Sequence, residues 1–469
     1  MNKAQSYLPR FFTEARALLA LSMPIIISQL AIQGMSFVDT SMAGQASARD
    51  LAAIAVAASL WMPVNLLMRG TLMALTPIVA HHRGAGTEQR IPADLSQTLW
   101  IALFSSVILI VYLNIAGHIL SFMDVDSAII PIATGYLYAL SFGVPGIAIY
   151  FTLNSLCEGM GNTRAPMVVA IAGLLVNVPV NYVLIYGKLG LPALGAVGCG
   201  WATSLVYCVM SLLMILYLKS HHRYTNLLPA GNQLKMIGHR IGEQLKLGIP
   251  IGITIFIEGS IFAIIALLIG QLGATAVAAH QIALNFSGLT FMVPLSISFG
   301  ITIRVGHAIG ANNLSEAKLR TLSGTILGIM FATITAVCIL LFPEAIIRVY
   351  TTDPVVAQGA ALLLVYAAVY QISDSLQASA NGALRGFKDT RTPMILVSIA
   401  YWLIGLPIGY ILGLTSIITQ PMGSAGFWIG LVSGLTAAAI FLGTRLLIVI
   451  KRTEQHSVTL MSSSYKAST

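Results

Sequence analysis

The chain has 469 residues, of which 57% are hydrophobic and only 9% charged, with a formal net charge of +9. Globular domains carry about 25% charged residues, so this composition excludes a water-soluble fold. The positive charge flanks apolar runs, where it sets membrane orientation, and a nucleic-acid partner is not needed to explain it.

A helix of about 20 apolar residues crosses a hydrocarbon core roughly 30 Å thick. Runs of this kind fall at 17–40, 52–80, 97–122, 129–154, 165–187, 195–218, 245–270, 277–303, 321–346, 356–382, 392–414 and 424–449. Twelve spans are therefore expected. The first is too long for a signal-peptide core and lacks an obvious cleavage site, so it is read as a retained helix. Gln29, Gln33, Ser36 and Thr40 recur at helical spacing and give it one polar face leading to Asp39. Pro24, earlier in the same run, removes a backbone hydrogen bond and predicts a hinge.

Arg69 lies in the second run, too deep for an easy reach to headgroups, and is expected to face a cavity or to pair with a buried carboxylate. In the fourth run stands Tyr136, and Glu158 at its end is expected to pair with Arg164. Asn177 and Asn181 are one turn apart in the fifth run and, with Tyr136, are expected to hydrogen-bond to Asp39. Residues 219–244 are polar. Leu234, Ile237, Ile241 and Leu245 recur there at helical spacing and suggest a surface-lying helix, with a plain solvated loop as the alternative.

Glu258 falls in the middle of the seventh run, one turn after Thr254. Gln281 and Asn285 are one turn apart in the eighth, where His280 is expected only to pack. Asp374 in the tenth shares a helical face with Tyr366, Tyr370, Gln377 and Asn381. Beyond Arg452 a short polar tail is expected to be disordered.

A charged side chain at mid-membrane costs on the order of 2.5 to 3.5 kcal/mol, so Asp39, Glu258 and Asp374 are candidates for function, while buried Asn, Gln and Ser also serve as plain helix glue. The oxygens of Glu258 and Asp374, completed by Asn285, suit a hard cation such as Na+. Proton uptake and cation binding then compete for one site. Cys157, Cys199, Cys208 and Cys338 show no CxxC or metal-ligand spacing and are read as packing residues. The chain holds no GxxxxGK[ST], HExxH or GxSxG, which points away from an enzyme and from any cofactor, and leaves an ion gradient as the driving force.

The two halves repeat each other. An offset of 226 residues superposes Pro24 on Pro250, Gly44 on Gly270, and Val79, His81, Gly84 and Ala85 on Val305, His307, Gly310 and Ala311. One residue more pairs the segment from Thr163 to Met167 with that from Thr390 to Met394. Six spans separate equivalent positions, so the repeats are parallel, related by an axis along the membrane normal. The expected organisation is an N-terminal lobe over 1–218, a cytoplasmic connector over 219–244, a C-terminal lobe over 245–450 and a cytoplasmic tail over 451–469. Such symmetry suits alternating access. Basic residues, among them Arg10, Arg83, Arg164, Lys235, Lys318 and Arg391, gather on the side of the N-terminus and place both termini in the cytoplasm.

The stretches SFVDTSMAG at 36–44, LMALTPIVAHHRGAG at 72–86, EGMGNTRAPM at 158–167 and VNVPVNYV at 176–183 resemble the multidrug and toxic compound extrusion (MATE) family, and within it the bacterial NorM-type branch. IFIEGS around Glu258, AVAAHQIALN at 276–285 and RGFKDTRTPM at 385–394 extend the resemblance through the second half. It implies an all-α integral membrane protein of twelve helices in two six-helix lobes, arranged as a V. It further implies a monomer in the bacterial inner membrane that exports cationic drugs or dyes in exchange for H+ or Na+. The family's first-helix acid maps onto Asp39, and its C-terminal cation-site acids map onto Glu258 and Asp374, with Tyr370 and Asn285 in the surroundings. Arg69 matches no part of that pattern. A lipid-linked precursor flippase is the alternative; its pyrophosphate cargo calls for a cationic cavity, and here Arg69 alone opposes the acids.

Overall fold

A computed structural model of the chain describes residues 4–120 and 126–467. The last residues of the third expected span, 121–122, lie outside them. In chain order the helices are α1 (Ala4–Ala46), α2 (Ala48–Leu72), α3 (Leu75–Gly84), α4 (Ile91–Leu120), α5 (Ile130–Ser141), α6 (Val144–Gly159), α7 (Arg164–Tyr186), α8 (Gly195–Ser220), α9 (His222–Thr225), α10 (Gly238–Gly270), α11 (Ala274–Gly310), α12 (Leu314–Leu341), α13 (Pro343–Arg348), α14 (Pro354–Gly386), α15 (Arg391–Ser398), α16 (Leu406–Leu414) and α17 (Ser424–Ala467). No strand occurs among the described residues.

Among the described residues, eleven helices or continuous helix pairs are long and apolar enough to cross a membrane, and the bent pair α5 and α6, kinked by 49°, makes a twelfth if taken as one span. These coincide with the twelve expected runs. The kink falls just before Pro145, which lacks an N–H and sits in the first turn of α6. The eleventh span is interrupted by a π-helical segment, Ile399–Gly405, directly before Pro407. A proline ring clashes with the carbonyl four residues back, and a wider i to i+5 turn relieves the clash.

The helices form two compact units, Met23–Phe256 and Met1–Ser22 with Ile257–Thr469. The divisions fall within α1 and α10, whereas the sequence suggested a division at the connector. The repeat is visible inside each unit. In one, Thr76 Oγ1 donates to the Ser155 carbonyl and Gly159 lies against Val79; in the other, Thr302 Oγ1 donates to the Gly382 carbonyl and Gly386 lies against Val305. These are equivalent positions of the repeat, and a Cβ on either Gly159 or Gly386 would come within 2.9 Å of its valine.

With no hydrophobic drive between helices in lipid, association rests on close packing through small residues. Gly405, Gly409 and Gly413 form a stripe that meets Gly426, Gly430 and Gly434 of α17, so that a Cβ on Gly430 would lie 2.5 Å from Gly409 backbone atoms. In the other unit Gly70 of α2 meets Gly252 of α10 equally closely. The first turns of α1 are held differently. Glu14 is 6% exposed and accepts hydrogen bonds from Arg304 Nε, at 2.7 Å, and from its Nη2; Arg320 lies 3.8 Å away, and Arg10 pairs with Glu316 at 2.6 Å.

Two expectations are corrected. The connector holds only α9 and a 3-10 turn at Gly231–Leu234, while Ile241 and Leu245 belong to α10 itself. It is bound to its unit by polar side chains. Gln97 bridges the Lys235 carbonyl and the Ile237 N–H, and Trp100 Nε1 donates to the Leu234 carbonyl. The tail continues α17 to Ala467, because no glycine or proline follows Gly443 to stop it and Lys318 pairs with Glu454 at 2.9 Å.

Candidate functional site

Each unit builds a site around an acid that lies in its apolar spans. In the unit Met23–Phe256, Asp39 on α1 is half-buried and accepts three hydrogen bonds. Asn177 Nδ2 and Asn181 Nδ2 both reach Oδ1, at 2.9 and 2.6 Å, and Thr203 Oγ1 reaches Oδ2 at 3.1 Å. The two asparagines are one turn apart on α7 and almost fully buried, so one face of one helix presents both amides. The Cys199 thiol, one turn before Thr203 on α8, also contacts the carboxylate. No basic residue pairs with Asp39 among the described residues.

The expectation for Asn177 and Asn181 agrees with this geometry, and that for Tyr136 does not. Tyr136 is buried within electrostatic reach of Asp39 but donates no hydrogen bond to it. Thr203 and Cys199 take the place the tyrosine was expected to hold. The polar face of α1 is partly used. Gln29 accepts from Arg69, whereas Gln33 and Ser36 are exposed and the Thr40 hydroxyl turns back to the Ser36 carbonyl at 2.9 Å. α1 runs unbroken through Pro24, whose carbonyl accepts from the Ser28 hydroxyl at 2.8 Å.

Arg69 is half-buried on α2. Its Nη2 donates to Gln29 Oε1 at 2.9 Å, and its guanidinium lies 4.8 Å from the Phe151 ring centroid. Glu158 accepts from Asn154 Nδ2 at 3.0 Å and is within electrostatic reach of Arg69, while Arg164 is exposed. The expected Glu158–Arg164 pair therefore does not form: α6 turns Glu158 inward, to 8% exposure, and Arg164 begins the next helix facing outward.

In the other unit Glu258 of α10 accepts from Gln377 Nε2 of α14 at 2.6 Å. Asp374, one turn earlier on α14, is 3% exposed, in side-chain contact with Tyr370 and within electrostatic reach of Glu258; its Oδ2 has no hydrogen-bond partner. Trp428 packs edge-on against Tyr370 with centroids 6.1 Å apart and donates from Nε1 to His280 Nδ1 at 3.1 Å; the Nε2 atom of His280 is buried without a partner. Asn285 is not brought to this pair. It is exposed, and its amide donates to the Gln281 carbonyl of its own helix at 2.9 Å. Two residues that the sequence reading did not single out join the site. Tyr401, in the π-helical segment, is 2% exposed and faces both acids electrostatically, and buried Arg385 sets a positive charge beside Glu258.

Up to twelve apolar spans among the described residues, in two repeats with acids set in the spans of each unit, fit a polytopic membrane transporter. The MatE family model matches residues 24–183 and 250–411, its two parts starting at the prolines that the offset of 226 superposes, and the chain belongs to that family. Its fold is similar to that of the eukaryotic MATE transporter AtDTX14, at 18% identity and a TM-score of 0.84, covering 95% of this chain and 99% of that one. A MATE protein solved in complex with MaL6 is 20% identical with a TM-score of 0.85, covering 94% and 97% of the two chains. A transporter of the MOP superfamily from Pyrococcus furiosus, whose binding pocket is described as having reverse polarity, is 19% identical with a TM-score of 0.85 and the same coverage.

Proposed function

We propose that this chain is a secondary-active multidrug exporter that moves amphipathic organic cations out of the cell in exchange for H+, with Na+ as a second coupling ion at Glu258 and Asp374. The observation that carries the reading is Asp39, held by Asn177, Asn181 and Thr203 with no basic partner among the described residues. An ionised carboxylate so held attracts an organic cation. Protonation removes the attraction. The Oδ1 atoms of Asn177 and Asn181 are buried without partners, so rotation of either amide offers the neutral acid an acceptor for its proton. Drug and proton thus compete for one group, and competition of this kind is what exchange requires.

The pair Glu258 and Asp374 offers carboxylate oxygens, with the Tyr370 phenol beside them, to a hard cation. Arg385 already supplies one positive charge there, which weakens the case for this pair as the sole coupling site. The acidic balance of both sites also speaks against a pyrophosphate-bearing lipid as cargo. We place the protein in a bacterial inner membrane as a monomer, with both termini in the cytoplasm, because basic residues gather beside the termini and the chain carries both repeats.

The test is efflux of a fluorescent cation from drug-sensitive cells, under separate H+ and Na+ gradients. Asp39→Asn is expected to abolish proton-driven efflux. Efflux that follows Na+ alone and fails only in Glu258→Gln would move coupling to the other unit, and no efflux under any gradient would reject the exporter.

A further inference from the structure

The opening segments of the two repeats differ in one consistent respect. Under the offset of 226, Glu14 of α1 falls on Arg240 of α10, while Glu316 and Arg320 of α12 fall on Arg90, just before α4, and Asp94, within it. Three charges are thus reversed between equivalent positions. The elements meet in the same way in both units: Leu18 packs on Gly324 in one, and at the equivalent positions of the other Thr98 Oγ1 donates to Gln244 Oε1 at 2.8 Å.

Each first helix begins in the unit of the other repeat. Residues Met1–Ser22 belong with Ile257–Thr469, where Glu14 meets Arg304 and Arg320 and Arg10 pairs with Glu316 at 2.6 Å. The start of α10 belongs with Met23–Phe256, where Arg240 lies 3.9 Å from Asp94, which also pairs with His82 at 2.8 Å. In lipid, apolar side chains and small residues serve α4 and α12 equally well as landing surfaces, so they do not tell one from the other. The nearer surface is the wrong one. Arg10 and Arg90 are 80 residues apart in the chain, whereas Arg10 and Glu316 are 306 apart, so α4 is made first and closes the shorter loop. Docked there, Arg10 would face Arg90 and Glu14 would face Asp94, and α10 docked on α12 would set Arg240 against Arg320.

We propose that these reversed charges are an address that sends the start of each repeat's first helix to the third span of the other repeat. Attraction at the correct surface and like-charge repulsion at its equivalent act together, and a difference between two competing surfaces needs both. Arg10, Glu14 and Arg240 carry the address, and Glu316, Arg320, Arg90 and Asp94 read it.

Crosslinking of the full chain in membranes reads the choice. Thr13 and Leu319 line one cavity of about 340 Å3 with Arg10 and Glu316, and Ala93 is the position equivalent to Leu319. With the exposed Cys208 and Cys338 changed to alanine, Thr13→Cys with Leu319→Cys reports docking on α12, and Thr13→Cys with Ala93→Cys reports docking on α4. A short bifunctional thiol reagent bridges either pair. Native charges should give the first product alone. Arg90→Glu with Asp94→Arg copies the α12 charges onto α4 and leaves the partners of Arg10 and Glu14 untouched, so a purely local role for these ion pairs predicts no change. The address predicts a rise of at least about tenfold in the second product relative to the first, because two pairs change sign. Adding Arg240→Glu, which restores the attraction of α10 for α4, should return the ratio to within about twofold of its native value. Arg90→Glu alone spares Asp94, should raise the ratio about threefold, and serves as the readout if the double variant does not accumulate. An unchanged ratio, an equal rise in Arg90→Ala with Asp94→Ala, or the second product at native charges overturns the proposal.

Discussion

Replacing Gly430 with alanine places a methyl group where backbone already stands. Its Cβ would lie 2.5 Å from the Gly405 carbonyl oxygen and from the Gly409 Cα and N. Atoms in contact sit about 3.5 Å apart, so α16 and α17 must separate by about 1 Å. Overpacking of this kind costs about 1–3 kcal/mol, offset by the roughly 1 kcal/mol that alanine gains over glycine within a helix. Gly443 on the same helix is the control, because its Cβ would meet nothing within 4 Å, and alanine there should collect the helical gain alone. Gly434 is intermediate, with contacts at 3.1 Å. Thermal unfolding in detergent, followed by loss of the monodisperse species, should rank Gly430→Ala lowest, Gly434→Ala next, and Gly443→Ala at or above wild type. Trp428 lies two residues before Gly430 and packs on Tyr370, so the same separation should also disturb the packing beside Asp374. An equal drop for Gly430→Ala and Gly443→Ala would refute the reasoning.

Glu14→Ala leaves Arg304 and Arg320 facing each other without their shared acid, and should cost about 3–5 kcal/mol, read as a lower melting temperature and poor accumulation. Glu14→Gln, which keeps an acceptor but not the charge, should lose nearly as much; wild-type stability in Glu14→Gln would contradict a charge-based role. Each donor to ionised Asp39 should contribute about 1.5–3 kcal/mol, so proton-driven efflux should fall most in Asn181→Ala, whose bond is 2.6 Å, less in Asn177→Ala, and least in Thr203→Val, whose bond is 3.1 Å. Efflux assays at matched protein levels check this order, and normal transport in an Asn177→Ala, Asn181→Ala double variant would contradict it.

The spans were legible because apolar length and the cost of a bare peptide group in lipid leave helices as the available answer. Asp39 with Asn177 and Asn181 was legible for a related reason: a carboxylate in a span needs donors, and two asparagines one turn apart offer them from a single face. Thr203 and Cys199 share that spacing on α8, but small polar residues at helical intervals are also ordinary packing, and the sequence does not separate the two. Arg385 stands in the charged RGFKDTRTPM stretch at the end of an apolar run, which reads as a solvated loop, so only the fold reveals its burial. Tyr401 reaches the acids from a π-helical turn, which changes the phase of the side chains after it and defeats a count at 3.6 residues per turn. Glu158 failed for the opposite reason, since proximity to Arg164 along the chain says nothing about which way a helix end points. The surface-lying helix of the connector was a true periodicity assigned to the wrong element, because Ile241 and Leu245 open α10.

The most direct test of Asp39 as the coupling group uses purified protein in liposomes with an imposed pH gradient, followed by a trapped pH dye. Addition of a transported organic cation should discharge the gradient through the wild-type protein and through Glu258→Gln, and should leave it standing with Asp39→Asn. Discharge that persists in Asp39→Asn, or dye uptake that proceeds with no proton movement, would contradict the account.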